Sequence, residues 1–210
     1  MRRRVLQAVF SLLYGPLAPM HELVGRVAFG PAWPGRRRAL LDRVSGSTGL
    51  VVDLGCGEGR LLAEATTRGL AAIGVEPSPT MARRARRRGA SVARGESGHL
   101  PLRHGAADAV IATYPGPWVV APGTWREIER VLRPGGIAVI LLGGTTERGR
   151  LATARRVVGS LVYGRRGDHL DLVSLPELGT SQLSGYWRPV SDEWGTAIIW
   201  EGRRTGTSGS

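Results

Sequence analysis

The chain has 210 residues, 42% of them hydrophobic and 22% charged, which is the make-up of one globular domain with a substantial core. Its formal charge is +12, but all 29 basic residues are Arg and there is no Lys or Asn, so GC-rich coding explains much of the excess and nucleic-acid binding is not implied. A single cysteine, Cys56, excludes an intramolecular disulfide and fits a cytoplasmic location; no Cys/His spacing suits zinc, and no apolar run approaches the roughly 18 residues of a membrane span.

Arg2 to Arg4 precede apolar residues at 5, 6, 9, 10, 12 and 13, a spacing that makes one stripe on a helix. The stripe predicts a helix packed on the main domain, with peripheral membrane contact through residues 1–13 as the alternative. "YGPLAP" ends that helix after about three turns. Gln7 interrupts the apolar run that a signal peptide needs. The region from 20 to 45 reads as helical and irregular, broken at "FGPAWPG", so residues 1–45 form the expected N-terminal helical cap.

From residue 50 the pattern becomes regular. The β-rich runs "LVVDLG", "AAIGVE", "ASVAR", "ADAVIATY" and "GIAVILLG" alternate with "EGRLLAEATTRG", "SPTMARRARRRG" and "PGTWREIERVLRPGG". Apolar strands separated by helices of this length predict βαβ units on a buried parallel sheet. Ser78 is placed to cap the second of these helices and Gly89 to end it, while Pro134, Gly135 and Gly136 stop the third. Residues 147–164 predict a further helix, and "QLSGYWRPV" and "WGTAIIWEGR" a closing antiparallel pair. The expected main domain is 46–204, followed by a disordered tail at 205–210.

"VVDLGCGEGRLL" is the segment richest in chemistry. A dinucleotide fingerprint needs G-x-G-x-x-G, but Gly55, Gly57 and Gly59 give G-x-G-x-G, and Arg60 stands in the third slot. Asp53, just before the loop, would repel a pyrophosphate and suits a cation or hydroxyls. No GK[ST] follows, which rules out a P-loop. Glu76 ends the next strand, where a carboxylate accepts hydrogen bonds from both hydroxyls of a ribose.

This set resembles the class I S-adenosylmethionine-dependent methyltransferases, whose first motif is D-x-G-x-G-x-G. "EPSPTMARRA" is similar to their acid followed by S-x-x-M. "GESGHLPL…AD" is similar to their G-D-A-x-x-L-P-F…D, with Asp108 as the second acid and Glu96 where Asp is commoner, and "RVLRPGG" resembles the segment before their fifth strand. The resemblance implies a Rossmann-like α/β three-layer sandwich with a seven-stranded, mostly parallel sheet of order 3-2-1-4-5-7-6. It also implies S-adenosyl-L-methionine as cofactor. Asp53, Gly55, Cys56, Gly57 and Gly59 would hold its amino-acid end and Glu76 and Pro77 its ribose. Met81, Glu96 and Ser97 would meet the adenine, and Thr113 and Tyr114 would lie beside the methyl group.

Alignment of nucleophile and methyl is the main demand of such a transfer, so a catalytic side chain is optional. The base candidates are Tyr14, His21 and His169, the last beside Asp168. Tyr14, Trp33, Tyr114 and Trp118 are candidates for the acceptor pocket. The segment Thr113–Trp118 lacks the N/D-P-P-Y/F of enzymes that methylate base amines, which argues against nucleic acid. The Arg83–Arg88 run reads as a solvated helix face. The expected acceptor is a small, partly apolar molecule of quinone or secondary-metabolite type. A membrane-docked lipid or quinone enzyme and a non-catalytic S-adenosylmethionine-binding protein are the alternatives.

Overall fold

The computed structural model describes residues 32–146, 175–193 and 195–206. Within them the chain forms α1 (Ala32–Val44), β1 (Leu50–Leu54), α2 (Arg60–Thr67), β2 (Ala72–Glu76), α3 (Pro79–Arg87) and β3 (Val92–Arg94). There follow β4 (Ala107–Thr113), a 3-10 turn (Pro117–Val120), α4 (Pro122–Val131), β5 (Leu132–Thr146), β6 (Leu183–Asp192) and β7 (Gly195–Arg204). The helix expected over 147–164, the stripe at 5–13 and residues 207–210 of the tail lie outside the described residues.

The strands form one sheet of order β3-β2-β1-β4-β5-β7-β6, the order that the resemblance implies. β1 to β5 pair in parallel, and β7 runs against both β5 and β6, so the closing pair is antiparallel as expected. The strand sequences explain the layering. Parallel strands covered on both faces are near-continuous apolar runs. Val51, Ala109, Ile111, Val139 and Leu141 face a cluster with Leu40 and Leu41 of α1 and Leu61 and Ala65 of α2. Their alternates Val52, Val110, Ala138 and Ile140 face Trp125, Ile128 and Val131 of α4. The Trp125 ring lies 4.6 Å from that of Trp200, edge to face, and its Nε1–H donates to the Val119 carbonyl at 2.6 Å.

Helix ends follow their signals. The Ser78 Oγ accepts the Met81 N–H at 3.3 Å, with Pro79 in the first turn of α3. After α4 the register shifts: Leu132 pairs with Ala107 and Ile137 with Ala109, so Arg133–Gly136 bulge out of the ladder. α1 is latched to the far end of the sheet. The buried Arg36 donates to both carboxylate oxygens of Asp192, at 2.6 and 3.3 Å, and Arg43 pairs with Glu201 at 2.6 Å. Among the described residues no helix is long and apolar enough to cross a membrane.

Candidate cofactor-binding site

Binding crevices of open α/β sheets lie beyond the carboxyl ends of the strands. Here the loop after β1, Glu76 at the end of β2 and the segment after β4 meet at that edge. The Gly55 and Cys56 N–H groups donate to the Val75 carbonyl at 2.8 and 3.4 Å, and Gly59 N–H closes the turn on the Cys56 carbonyl at 3.0 Å. Gly59 has φ +75°, and a Cβ on it would lie 2.8 Å from Ala85 Cβ on α3. Its absent side chain lets α3 approach the start of α2. Gly74 on β2 serves the same end from below, since a Cβ there would overlap the Cys56 Sγ.

Glu76 is buried and does two jobs. Its Oε2 accepts the Gly57 N–H at 2.9 Å and its Oε1 accepts the Ser78 N–H at 2.8 Å, so it ties the glycine loop to the start of α3. Each oxygen keeps lone-pair capacity for a further donor. Burial raises its pKa above the usual carboxylate range, and the two N–H groups oppose that rise.

Asp53 is 2% exposed, and its Oδ1 has no hydrogen-bond partner among the described residues. Burial pushes its pKa up to about 7, with Arg37 opposing and Glu76 reinforcing the rise. A buried, unsatisfied acid is costly and demands an explanation, and a cationic or hydroxyl-bearing ligand supplies one. Cys56 is inert by comparison: burial, with Asp53 and Glu76, drives its thiol far above the ordinary value, so no thiolate forms.

Sequence reasoning missed Glu58. It is buried in the loop and accepts hydrogen bonds from Arg60 at 2.5 Å, Arg84 at 2.9 Å and Arg88 at 3.1 Å. Burial alone would raise its pKa, but these guanidiniums hold it at about 2. Part of the Arg83–Arg88 run is therefore tied to the glycine loop and does not form a purely solvated face. The i, i+4 spacing of Arg84 and Arg88 signals a shared partner, although its identity lies 26 and 30 residues away.

The Gly95–Ser97 segment is held from α4, a second feature not foreseen. Thr124 Oγ1 bonds Ser97 Oγ at 3.0 Å, and Glu127 accepts the Leu100 N–H at 2.6 Å. Arg130 donates to the Leu100 and Leu102 carbonyls at 3.0 and 2.8 Å and pairs with Glu127. The "LPL" turn is thus clamped by one acid and one base at i, i+3. Glu96 and Pro77 are exposed, whereas Met81 is fully buried. Asp108 accepts from Arg133 and from the Gly49 N–H, which holds the strand base.

Beside β4, Tyr114 has φ +49°, a conformation that a bulky side chain rarely adopts. That turn sends its buried ring into the cluster with α1, whereas Trp118 packs against the opposite cluster. A Cβ on Gly55 would stand 3.5 Å from the Trp118 ring, so Trp118 overhangs the glycine loop. Thr113, the last residue of β4, is half-buried. Tyr14, His21, Asp168 and His169 lie outside the described residues, as does the side chain of Trp33. Among the described residues no His/Cys/Asp/Glu group could hold a metal ion.

Two buried acids at the strand ends, one of them orphaned, together with a loop lacking a P-loop Lys, fit a nucleoside whose far end carries an ammonium. They do not fit a pyrophosphate. Known proteins agree. Residues 52–140 match the methyltransferase domain family. Uncharacterized methyltransferases of Mycobacterium bovis and Mycolicibacterium gilvum are 35% and 36% identical over 130 and 97 residues, 60% and 43% of this chain. The aligned parts are 52% and 37% of those proteins, so the chain spans about half the length of the curated relatives it matches.

Solved structures share the fold. One from Methanococcus maripaludis, assigned to the S-adenosylmethionine-dependent methyltransferases, superposes with TM-score 0.61 at 17% identity, covering 91% of this chain and 93% of that one. The geranyl diphosphate C-methyltransferase of Streptomyces coelicolor does so with TM-score 0.57 at 16% identity, covering 82% and 79%. The match over residues 52–140 and the shared sheet order make this chain similar to the class I S-adenosyl-L-methionine-dependent methyltransferases.

Proposed function

We propose that the chain transfers a methyl group to a small, partly apolar acceptor of quinone or secondary-metabolite type. The observation that carries the transfer is the orphaned, buried Asp53 carboxylate beside Glu76 in a glycine loop. When bound, S-adenosyl-L-methionine supplies an electrophilic methyl group on its sulfonium. Asp53 Oδ1 then receives the ammonium of the amino-acid end, and Glu76 accepts the ribose hydroxyls with the lone pairs that Gly57 and Ser78 leave. Ser97, pinned by Thr124, and the neighbouring Glu96 meet the adenine.

The acceptor class is read from the segment after β4. Thr113 to Ala121 carries no charged residue, and its two prolines and Trp118 make an apolar rim. Such a wall excludes water and aligns the acceptor, and alignment is the larger part of catalysis for an in-line displacement. A phenolic or enolic hydroxyl suits it, because such an acceptor ionises readily and needs only weak base assistance.

Incubation with methyl-labelled S-adenosylmethionine and an organic extract of cells tests this reading. Label should appear in extractable, low-molecular-weight product, with S-adenosylhomocysteine formed in equal amount. Label confined to nucleic acid, or cofactor binding with no transfer from any extract, contradicts it.

A further inference from the structure

The loop after β3 is held from two sides. A Cβ on Gly95 would lie 2.6 Å from Pro101 Cδ, and the His99 N–H closes a turn on the Glu96 carbonyl at 3.0 Å. On α4, Thr124, Glu127 and Arg130 stand three residues apart and share one face. Glu127 and Arg130 grip Leu100 and Leu102, and Thr124 reaches Ser97.

Thr124 is 1% exposed, and its Oγ1 lies 3.0 Å from two oxygens, the Ser97 Oγ and the Trp118 carbonyl. A hydroxyl has one proton, and a carbonyl only accepts. The Thr124 proton therefore goes to Trp118. Sent to Ser97 instead, it would leave two oxygens facing each other at 3.0 Å with no proton between them, at a buried position. The bond between the two hydroxyls then uses the Ser97 proton. Ser97 Oγ keeps lone pairs only, so any ligand group that meets it has to bring a donor. The adjacent Glu96 carboxylate also only accepts.

We infer, resting on the reading that Ser97 meets the adenine, that Thr124 is a positioning residue for base selection. By engaging the Ser97 proton it makes Ser97 an acceptor toward the base, which favours an amino-bearing purine over a 6-oxo purine. Adenine brings the N–H groups of its amino substituent to these acceptors. A 6-oxo purine brings an oxygen there, and acceptors set against each other are costly once desolvated. A site that rejects a base by leaving polar groups unpaired discriminates more strongly than one that rejects by shape.

Calorimetry of the full chain with S-adenosylhomocysteine and with S-inosylhomocysteine, its 6-oxo analogue, reads the selection as a ratio of affinities. The native protein should prefer S-adenosylhomocysteine by about a hundredfold or more. Thr124→Val keeps the shape and removes the hydroxyl, which frees the Ser97 proton to turn toward a 6-oxo group, so the ratio should fall by about tenfold. Thr124→Ser restores the hydroxyl and should return the ratio to near the native value. Ser97→Ala, at a half-buried position, should lower the ratio by weakening S-adenosylhomocysteine. Loosened packing alone would weaken both ligands together and leave the ratio unchanged. An unchanged ratio in Thr124→Val, or no recovery in Thr124→Ser, would overturn the role of Thr124. Normal S-adenosylhomocysteine binding by the native chain with an unchanged ratio in Ser97→Ala would overturn it too and leave the cofactor assignment standing. No S-adenosylhomocysteine binding by the native chain would overturn both.

Discussion

Asp53→Asn is expected to make the ligand-free protein more stable at pH 8 while weakening its hold on S-adenosylhomocysteine. Burial raises the folded-state pKa of Asp53 to about 7, so between the ordinary carboxylate value and pH 7 the folded protein binds more protons than the unfolded chain. Stability therefore falls as pH climbs through that window, and the full penalty persists above it. Raising a carboxyl from its ordinary value to about 7 corresponds to a ceiling of about 4 kcal/mol, and partial relaxation suggests about 2–4 kcal/mol. Asn keeps the shape and removes the charge. Urea unfolding should show the variant ahead at pH 8 and level with the native protein near pH 4.

Binding should move the other way. The ammonium needs the ionised acid, so the native protein's affinity should fall by up to about tenfold per pH unit below pH 7. The Asn variant should bind weakly with a flatter profile. The remaining slope reports Glu76, whose pKa burial also raises. A variant less stable than the native protein at pH 8 would mean that Asp53 has a partner in the ligand-free state.

The second large effect concerns packing. Gly59→Ala forces a Cβ to within 2.8 Å of Ala85 Cβ and 3.1 Å of both Ala85 Cα and Ala90 Cβ, at φ +75°. The left-handed conformation costs about 1 kcal/mol for Ala, and overpacking against helix backbone about 1–3 kcal/mol more. A total loss of about 2–4 kcal/mol in urea unfolding is expected. Gly57→Ala is the contrast, because φ is +56° there but a Cβ meets nothing within 4 Å. It should cost about 1 kcal/mol of stability and reduce cofactor affinity more than Gly59→Ala does. The reverse order would mean that Gly57 serves packing and Gly59 the cofactor.

Much of this architecture is legible in the chain because local signals and global fold agree. Fully apolar runs such as "AVIA" are buried on both faces, Ser78 caps where it should, and Asp53 and Glu76 stand at adjacent strand ends. What stayed hidden depends on contacts between distant residues. Three arginines of a charged stretch and its surroundings converge on Glu58 only because Gly59 lets α3 approach α2. A positive φ at Tyr114, which no residue type announces, turns the ring away from Trp118 and toward α1. The clamp of Glu127 and Arg130 on Leu100–Leu102 follows from helix spacing, but its target does not. Tyr14, His21 and His169, the acceptor-side candidates, belong to stretches outside the described residues, so the acceptor is read from the β4 rim alone.

Calorimetry of the full chain with S-adenosylhomocysteine and, separately, with NAD decides whether the crevice is built for an ammonium or for a pyrophosphate. Both ligands carry an adenosine that Glu76 could hold, and only the first brings an ammonium to Asp53. One-to-one binding of S-adenosylhomocysteine with no saturable binding of NAD is expected. Binding of NAD without S-adenosylhomocysteine would refute the assignment of this cofactor.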